Sequence, residues 1–226
     1  GTDNFPTDRF IAEGVAAELG LRVRWVAADP AGGVTTAALA PLLSDDTAVV
    51  MLSHVAYKSG YLADAAALTD SIHAAGALAL WDLCHAAGVV PTELDAWGVD
   101  FAVGCTYKYL NGGPGSPAFL YVRREVLAHA QQPIWGWMGA ADVFAMAAEY
   151  APSPGIRQFL SGTPPVLGML PMHDMLDAIE AAGMPAIRAK SVALPECAWR
   201  ASEALLVPPH VRFASPRDPA ERGGPL

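Results

Sequence analysis

Ala77-Leu78-Ala79-Leu80-Trp81-Asp82 and Asp100-Phe101-Ala102-Val103-Gly104-Cys105 are two nearly unbroken apolar runs. The first ends on a carboxylate. The second leads directly into Thr106-Tyr107-Lys108. A strand that is apolar on both sides of its pleat is one buried on both faces, the habit of parallel sheets covered by helices. Thr47 to Ser53 and Pro117 to Val122 are further runs of this kind. Between them, Leu62 to Ala75 has the period of an amphipathic helix and stops at Gly76, and Pro91 suits the first turn of a short helix. Strands alternating with helices predict an α/β fold, a mostly parallel sheet with helices on both faces.

Working outward, Thr7 or Asp8 is placed to cap a helix that runs to about Leu19 and closes at Gly20. Leu21 to Ala27 reads as a strand with Val23, Trp25 and Ala27 on one face. Thr35 or Thr36 starts a short helix ending near Leu43, and a charged helix start follows at Arg123. Pro164 to Ala182 and Met184 to Leu206 read as two long helices, the second with a kink or break at Pro195. Met169, Met172 and Met175 recur at helical spacing and read as packing, as do the tryptophans other than Trp137. The organisation predicted is a large domain over residues 1–183. A long helix and the start of a smaller C-terminal domain then cover 184–226, with a strand opening at Val211 and a mobile tail from Ser215. Gly1 is not an initiator Met, and the chain ends at Gly223-Gly224-Pro225-Leu226, so a piece of a longer protein is expected.

Of the 226 residues, 53% are hydrophobic and 16% charged, a core-forming composition. The net charge is −9 and no basic run exceeds Arg123-Arg124, which argues against a nucleic-acid partner. Apolar stretches such as Ala74 to Trp81 are too short to span a bilayer, and no secretory signal opens the chain, so no membrane partner is expected. Cys84, Cys105 and Cys197 are odd in number and widely spaced, which fits neither a disulfide framework nor a metal site. The cytoplasm is the expected compartment.

Ligands of open parallel sheets sit at the carboxyl ends of the strands. Ser53 and His54, then Asp82 with His85, then Thr106, Tyr107 and Lys108 all fall at such ends. A buried carboxylate is costly unless a cation partners it, and a protonated pyridine nitrogen is such a cation. The competing reading of Asp82 is a helix cap. Lys108 follows a buried strand among aromatic residues, where desolvation favours the neutral, nucleophilic amine. Its competing reading is a solvated loop lysine, the role given to Lys58 in its polar loop. Lys190 reads as a helix-surface residue. Gly112-Gly113-Pro114-Gly115 lacks the Gly-Lys-Ser/Thr ending of a phosphate loop and reads as a tight turn returning the chain to the sheet. His54, His73, His129, His173 and His210 show no partner pattern.

Phe5-Pro6-Thr7-Asp8, Ser53 through Gly60, Trp81 through Gly88, Gly104 through Gly115, Gly136-Trp137-Met138-Gly139 and Gly162-Thr163-Pro164-Pro165 together resemble the kynureninases, a family of fold-type I pyridoxal-phosphate enzymes. Cysteine desulfurases and related class V enzymes usually carry a His before the lysine, where this chain has Tyr107. The resemblance implies that Lys108 forms the internal aldimine with pyridoxal 5′-phosphate and later moves protons. It implies that Asp82 pairs with the pyridine nitrogen, that His85 lies beside the cofactor, and that Ser53 sits near the phosphate or ring edge. Tyr107 would bond the phosphate and relay a proton. Phe5, Pro6, Thr7 and Asp8 would form a cofactor segment in which Phe5 covers a ring face. Trp137 and Thr163 would reach the phosphate region across a homodimer interface; from the residues alone they read as core and as a helix cap.

The activity implied is hydrolysis of L-kynurenine or 3-hydroxykynurenine to anthranilate or 3-hydroxyanthranilate and L-alanine, in tryptophan catabolism and NAD biosynthesis. The alternatives are another class V enzyme such as a cysteine desulfurase or lyase, a non-catalytic fragment, and, last, a nucleotide-binding module around Gly112 to Gly115. The departure from the family is length. An upstream phosphate loop and a C-terminal arginine for the substrate carboxylate are expected outside the chain, and neither Arg217 nor Arg222 is equated with that arginine.

Overall fold

The computed structural model describes residues 1–206 and 213–224. Four strands form one sheet in the order β1 (Val49–Ser53), β2 (Leu78–Asp82), β3 (Phe101–Cys105) and β4 (Ala118–Val122). The first three are parallel and β4 is antiparallel to β3. The reversal follows from the glycine segment. Asn111, Gly113 and Gly115 all take positive φ, and the Ser116 hydroxyl closes the turn on the Gly113 carbonyl. The segment is thus the predicted turn.

Side chains alternate across a strand, so register decides which residues share a face. Leu52, Trp81 and Ala102 align on one face, and Ser53, Asp82 and Val103 on the other. The first face is fully covered: α3 (Ala65–Ala74) brings Leu68 and Ile72 against Ala79 and Trp81, and the Trp81 indole N–H donates to Thr69 at 3.1 Å. The second face is only partly covered within this chain, with Val49 and Leu78 exposed at its amino end. Burial on both faces, expected from the unbroken apolar runs, is met on one face only: Leu52, Ala79, Trp81 and Ala102 are buried, whereas Met51, Leu80 and Val103 on the other face are partly buried.

At that amino end Asp100 fixes three elements at once. Fully buried, it accepts from the Ala79 N–H at 2.8 Å and from the Arg123 guanidinium at 2.7 Å, and it meets His73 Nε2 at 2.8 Å. His73 therefore has a partner that its sequence neighbours did not reveal.

The helices differ from expectation in detail. α1 (Pro6–Leu19) starts with Pro6 at its first position and Phe5 at its cap, so Thr7 and Asp8 lie inside the first turn instead of capping it. Gly20 closes it in the left-handed conformation at φ 68°. Leu21 to Ala27 is extended but pairs with no strand among the described residues. It is held by Thr2 N–H donating to Val26 O and by Arg22 and Arg24 bonded to Asp46. The segments after Pro91 and after Arg123 are turns, not helices. α2 (Thr36–Leu39) is capped by Thr35 and runs on as a 3₁₀ turn to Leu42, and α3 starts at Ala65 because Asp64 accepts from the Ala67 N–H. α4 (Val166–Ala182) and α5 (Met184–Leu205) meet at Gly183, and α5 continues through Pro195 without the predicted break. Trp135, expected in the core, is 65% exposed.

The segment read as a mobile tail is docked. Arg222 is 1% exposed and bridges Tyr61. Leu62 N–H donates to Glu221 O, Gly223 N–H to Gly60 O, and Arg188 of α5 to the carbonyls of Pro219 and Arg222. The predicted strand start at Val211 lies outside the described residues.

Candidate active site

The pairing of Ser53 with Asp82 brings two strand ends side by side at the carboxyl edge. Asp82 is 5% exposed. One carboxylate oxygen accepts from the Cys84 N–H at 2.7 Å and the other from the Ser53 hydroxyl at 3.4 Å. The competing reading of Asp82 is a helix cap; the segment that follows is a turn, and the Cys84 bond that closes it occupies one oxygen.

Asp8 reaches the same place from the first turn of α1. Asn4, itself buried, donates to it at 3.5 Å. Burial pushes the Asp8 carboxyl up to about 6, and the neighbouring Asp82 pushes the same way. Two carboxylates crowded in a half-dry corner favour the arrival of a cation.

Lys108, on the loop after β3, places Nζ 3.0 Å from His85 Nε2. Burial lowers the His85 pKa and the Lys108 charge lowers it further, so neutral imidazole is favoured and Nε2 is free to accept. Aromatic rings flank the amine, with the Phe5 centroid at 5.9 Å and the Tyr107 centroid at 5.7 Å. Phe5, Asp8, Ser53, Asp82, His85, Tyr107 and Lys108 thus form one cluster, drawn from α1, β1, β2 and the loop after β3.

The other predicted residues lie differently. Pro6 serves as the first residue of α1, and Thr7 is exposed beside it. Trp137 sits in a short 3₁₀ turn and Thr163 before α4. Both are exposed, and no hydrogen bond or ring contact among the described residues ties either to Lys108. Sequence reasoning missed Asn4, the Cys84 N–H and Tyr57, whose ring lies 5.3 Å from Phe5 and 6.4 Å from His85. Tyr57 had a signal: an aromatic residue in a loop leaving the carboxyl end of β1.

A separate cavity of about 420 Å³ is lined by His54, Tyr61, Asp64, Trp97 and Glu221, among others, and by none of the cluster. His54 packs between Trp81 and Trp97, and burial pulls its pKa down to about 4. It behaves as a neutral core residue. No group of metal-ligating side chains occurs among the described residues, and no described helix is long and apolar enough to cross a membrane.

The family model described as "Aminotransferase class-V" matches residues 6–224. The chain belongs to the class-V aminotransferase family. It is 43% identical over 224 residues to the kynureninase of Pseudomonas fluorescens, covering 98% of this chain and 52% of that protein. It is 42% identical over 222 residues to the kynureninase of Deinococcus radiodurans, again covering 98% and 52%. The chain spans about half the length of these curated relatives. Among solved structures, it superposes on the apo cysteine desulfurase of Thermococcus onnurineus NA1 with a TM-score of 0.80 at 21% identity, covering 96% of this chain and 52% of that one. It superposes on a cystine C–S lyase with a TM-score of 0.71 at 19% identity, covering 84% and 51%. These two likenesses establish the shared fold.

Class-V aminotransferase relatives use pyridoxal 5′-phosphate. The cluster fits that group. The crowded Asp8 and Asp82 carboxylates suit a protonated ring nitrogen, Lys108 offers the only amine within it, and Phe5 offers an aromatic face. A phosphate cradle is not assembled among the described residues, because Trp137 and Thr163 stand apart.

Proposed function

We propose that the protein containing this chain cleaves L-kynurenine or 3-hydroxykynurenine hydrolytically, giving anthranilate or 3-hydroxyanthranilate and L-alanine. The observation that carries the reading is the placement of Lys108, next to Tyr107 and against His85, whose imidazole also feels the charge of the buried Asp82. The 43% identity to a kynureninase supports this substrate, and the tyrosine before Lys108, unlike the histidine usual in desulfurases, points the same way.

Pyridoxal phosphate supplies the electron sink that stabilises charge on an amino acid joined to it. Asp82 would hold the ring nitrogen protonated, and Asp8 would supply the second carboxylate of that corner. The Lys108 amine would take the substrate's α-proton and return it. His85 accepts a hydrogen bond from that amine and so keeps it aimed at the reacting carbon. Tyr107, 52% exposed beside Lys108, would pass a proton in the later steps. Trp137 and Thr163 would complete the phosphate site from a second copy in a homodimer. A cytoplasmic enzyme of tryptophan catabolism and NAD biosynthesis follows from the same reading.

The test is to give the full-length protein, loaded with cofactor, kynurenine in one assay and cysteine in another. Anthranilate fluorescence from kynurenine without sulfide from cysteine is expected. Sulfide release without anthranilate would transfer the protein to the desulfurase side of the family. Lys108→Ala should lose the visible absorbance of lysine-bound cofactor. A borohydride-fixed cofactor retained in that variant would remove Lys108 from the role.

A further inference from the structure

Three rings form an arc around the Lys108 amine, and one of them has no assigned part. Phe5 meets Tyr57 edge to face, with centroids 5.3 Å apart and planes at 80°. Tyr57 then faces His85 at 6.4 Å with planes at 30°. His85 closes the arc through its 3.0 Å contact with Lys108. Tyr57 therefore links the ring flanking the amine on the α1 side to the imidazole bonded to it.

An imidazole on a half-buried loop can turn about its χ2 bond, a broad, soft torsion. Only some of its orientations present Nε2 to Lys108. The Tyr57 ring, its centroid 6.4 Å away and its plane inclined by 30°, hinders the others, because turning the imidazole would swing its edge toward that ring. Tyr57 is itself held, by its T-shaped contact with Phe5 and by the Lys58 ammonium 5.5 Å from its centroid. The loop that carries it is anchored at both sides: Ala56 N–H donates to Tyr61 O and Gly60 N–H to Ala56 O.

Resting on the cofactor reading above, we infer that Tyr57 is a positioning residue that acts through His85, fixing the imidazole plane so that Nε2 meets the Lys108 amine when the cofactor is taken up. The working part is the ring face, not the hydroxyl, because both contacts are made by the ring.

The test measures cofactor affinity of the full-length protein by visible absorbance for wild type, Tyr57→Phe, Tyr57→Ala, His85→Ala and the double variant Tyr57→Ala/His85→Ala. Tyr57→Phe keeps affinity within about twofold. Tyr57→Ala weakens it about tenfold, the size of a coupling between contacting side chains. In the His85→Ala background the same truncation costs less than about twofold. Thermal melting of the apo forms checks that each variant is folded. Equal costs of Tyr57→Ala with and without His85 would overturn the inference, as would a Tyr57→Phe loss as large as that of Tyr57→Ala. A Tyr57→Ala chain that does not fold is replaced by Tyr57→Leu, with the same two comparisons. A wild-type protein that takes up no cofactor at Lys108 sinks the reading of the site and this inference with it. Uptake with additive costs sinks this inference alone.

Discussion

The Asp8 carboxyl holds its proton to about pH 6 because it is half buried and faces Asp82. Its folded pKa lies above that of an unfolded aspartic acid, so the folded apo protein binds this proton more tightly. The stabilisation is therefore complete below about pH 4 and disappears as pH rises through about 6. Urea unfolding of the apo protein between pH 4 and pH 8 should show that decline, and Asp8→Asn should flatten it. An unchanged slope in the variant would mean the carboxylate pair is not the source. At this scale the sequence was informative where a residue type announces its chemistry. A lysine after a buried strand and a carboxylate ending another were legible, because few residues survive there without a task. Tyr57 carried only a positional signal, an aromatic residue in the loop leaving β1, and its contacts with Phe5 and His85 came from the fold. The His73–Asp100 contact was hidden for a similar reason: the two lie on different elements, and only the fold closes the 2.8 Å between them.

Among the elements, the best-read ones were those whose neighbours are also in the chain. β1 to β4 fall within a residue or two of their expected ends, because buried strands leave a continuous apolar record. Leu21 to Ala27 shows that the same alternation without a pairing partner gives extended chain but no strand. The turns after Pro91 and Arg123 lacked the length to nucleate helices. The junction of α3, β2 and β4 makes its own prediction. Asp100 serves the Ala79 N–H, Arg123 and His73 together. Asp100→Ala would strand a buried N–H and a partly buried guanidinium, at a cost of about 3 kcal/mol in urea unfolding. Arg123→Ala should cost clearly less, because His73 and the amide still satisfy the carboxylate. Equal losses would show that the ion pair alone carries the junction.

For the whole molecule, one group of exposed apolar side chains lies where the site is least complete. Ile134, Trp135, Trp137, Phe144 and Met146 lie exposed in the stretch before α4, and Val166, Leu167 and Leu170 lie exposed on its first turns. Trp137 and Thr163, the residues proposed for the phosphate, belong to this same stretch while Lys108 lies elsewhere. If a second copy supplies them, two defective full-length chains should repair one another. A Lys108→Ala chain keeps Trp137, and a Trp137→Ala chain keeps Lys108. A mixed dimer then holds one site with both residues intact and one with neither. Reassociated at equal amounts, with half the dimers mixed, the pair should recover about one quarter of wild-type activity with kynurenine, whereas either variant alone stays near zero. Recovery requires that each variant dimerises, which sedimentation of the separate chains checks. Absence of recovery between two competent dimers would place Trp137 in the same subunit's site as Lys108, and the exposed stretch would then cover that subunit's own cofactor.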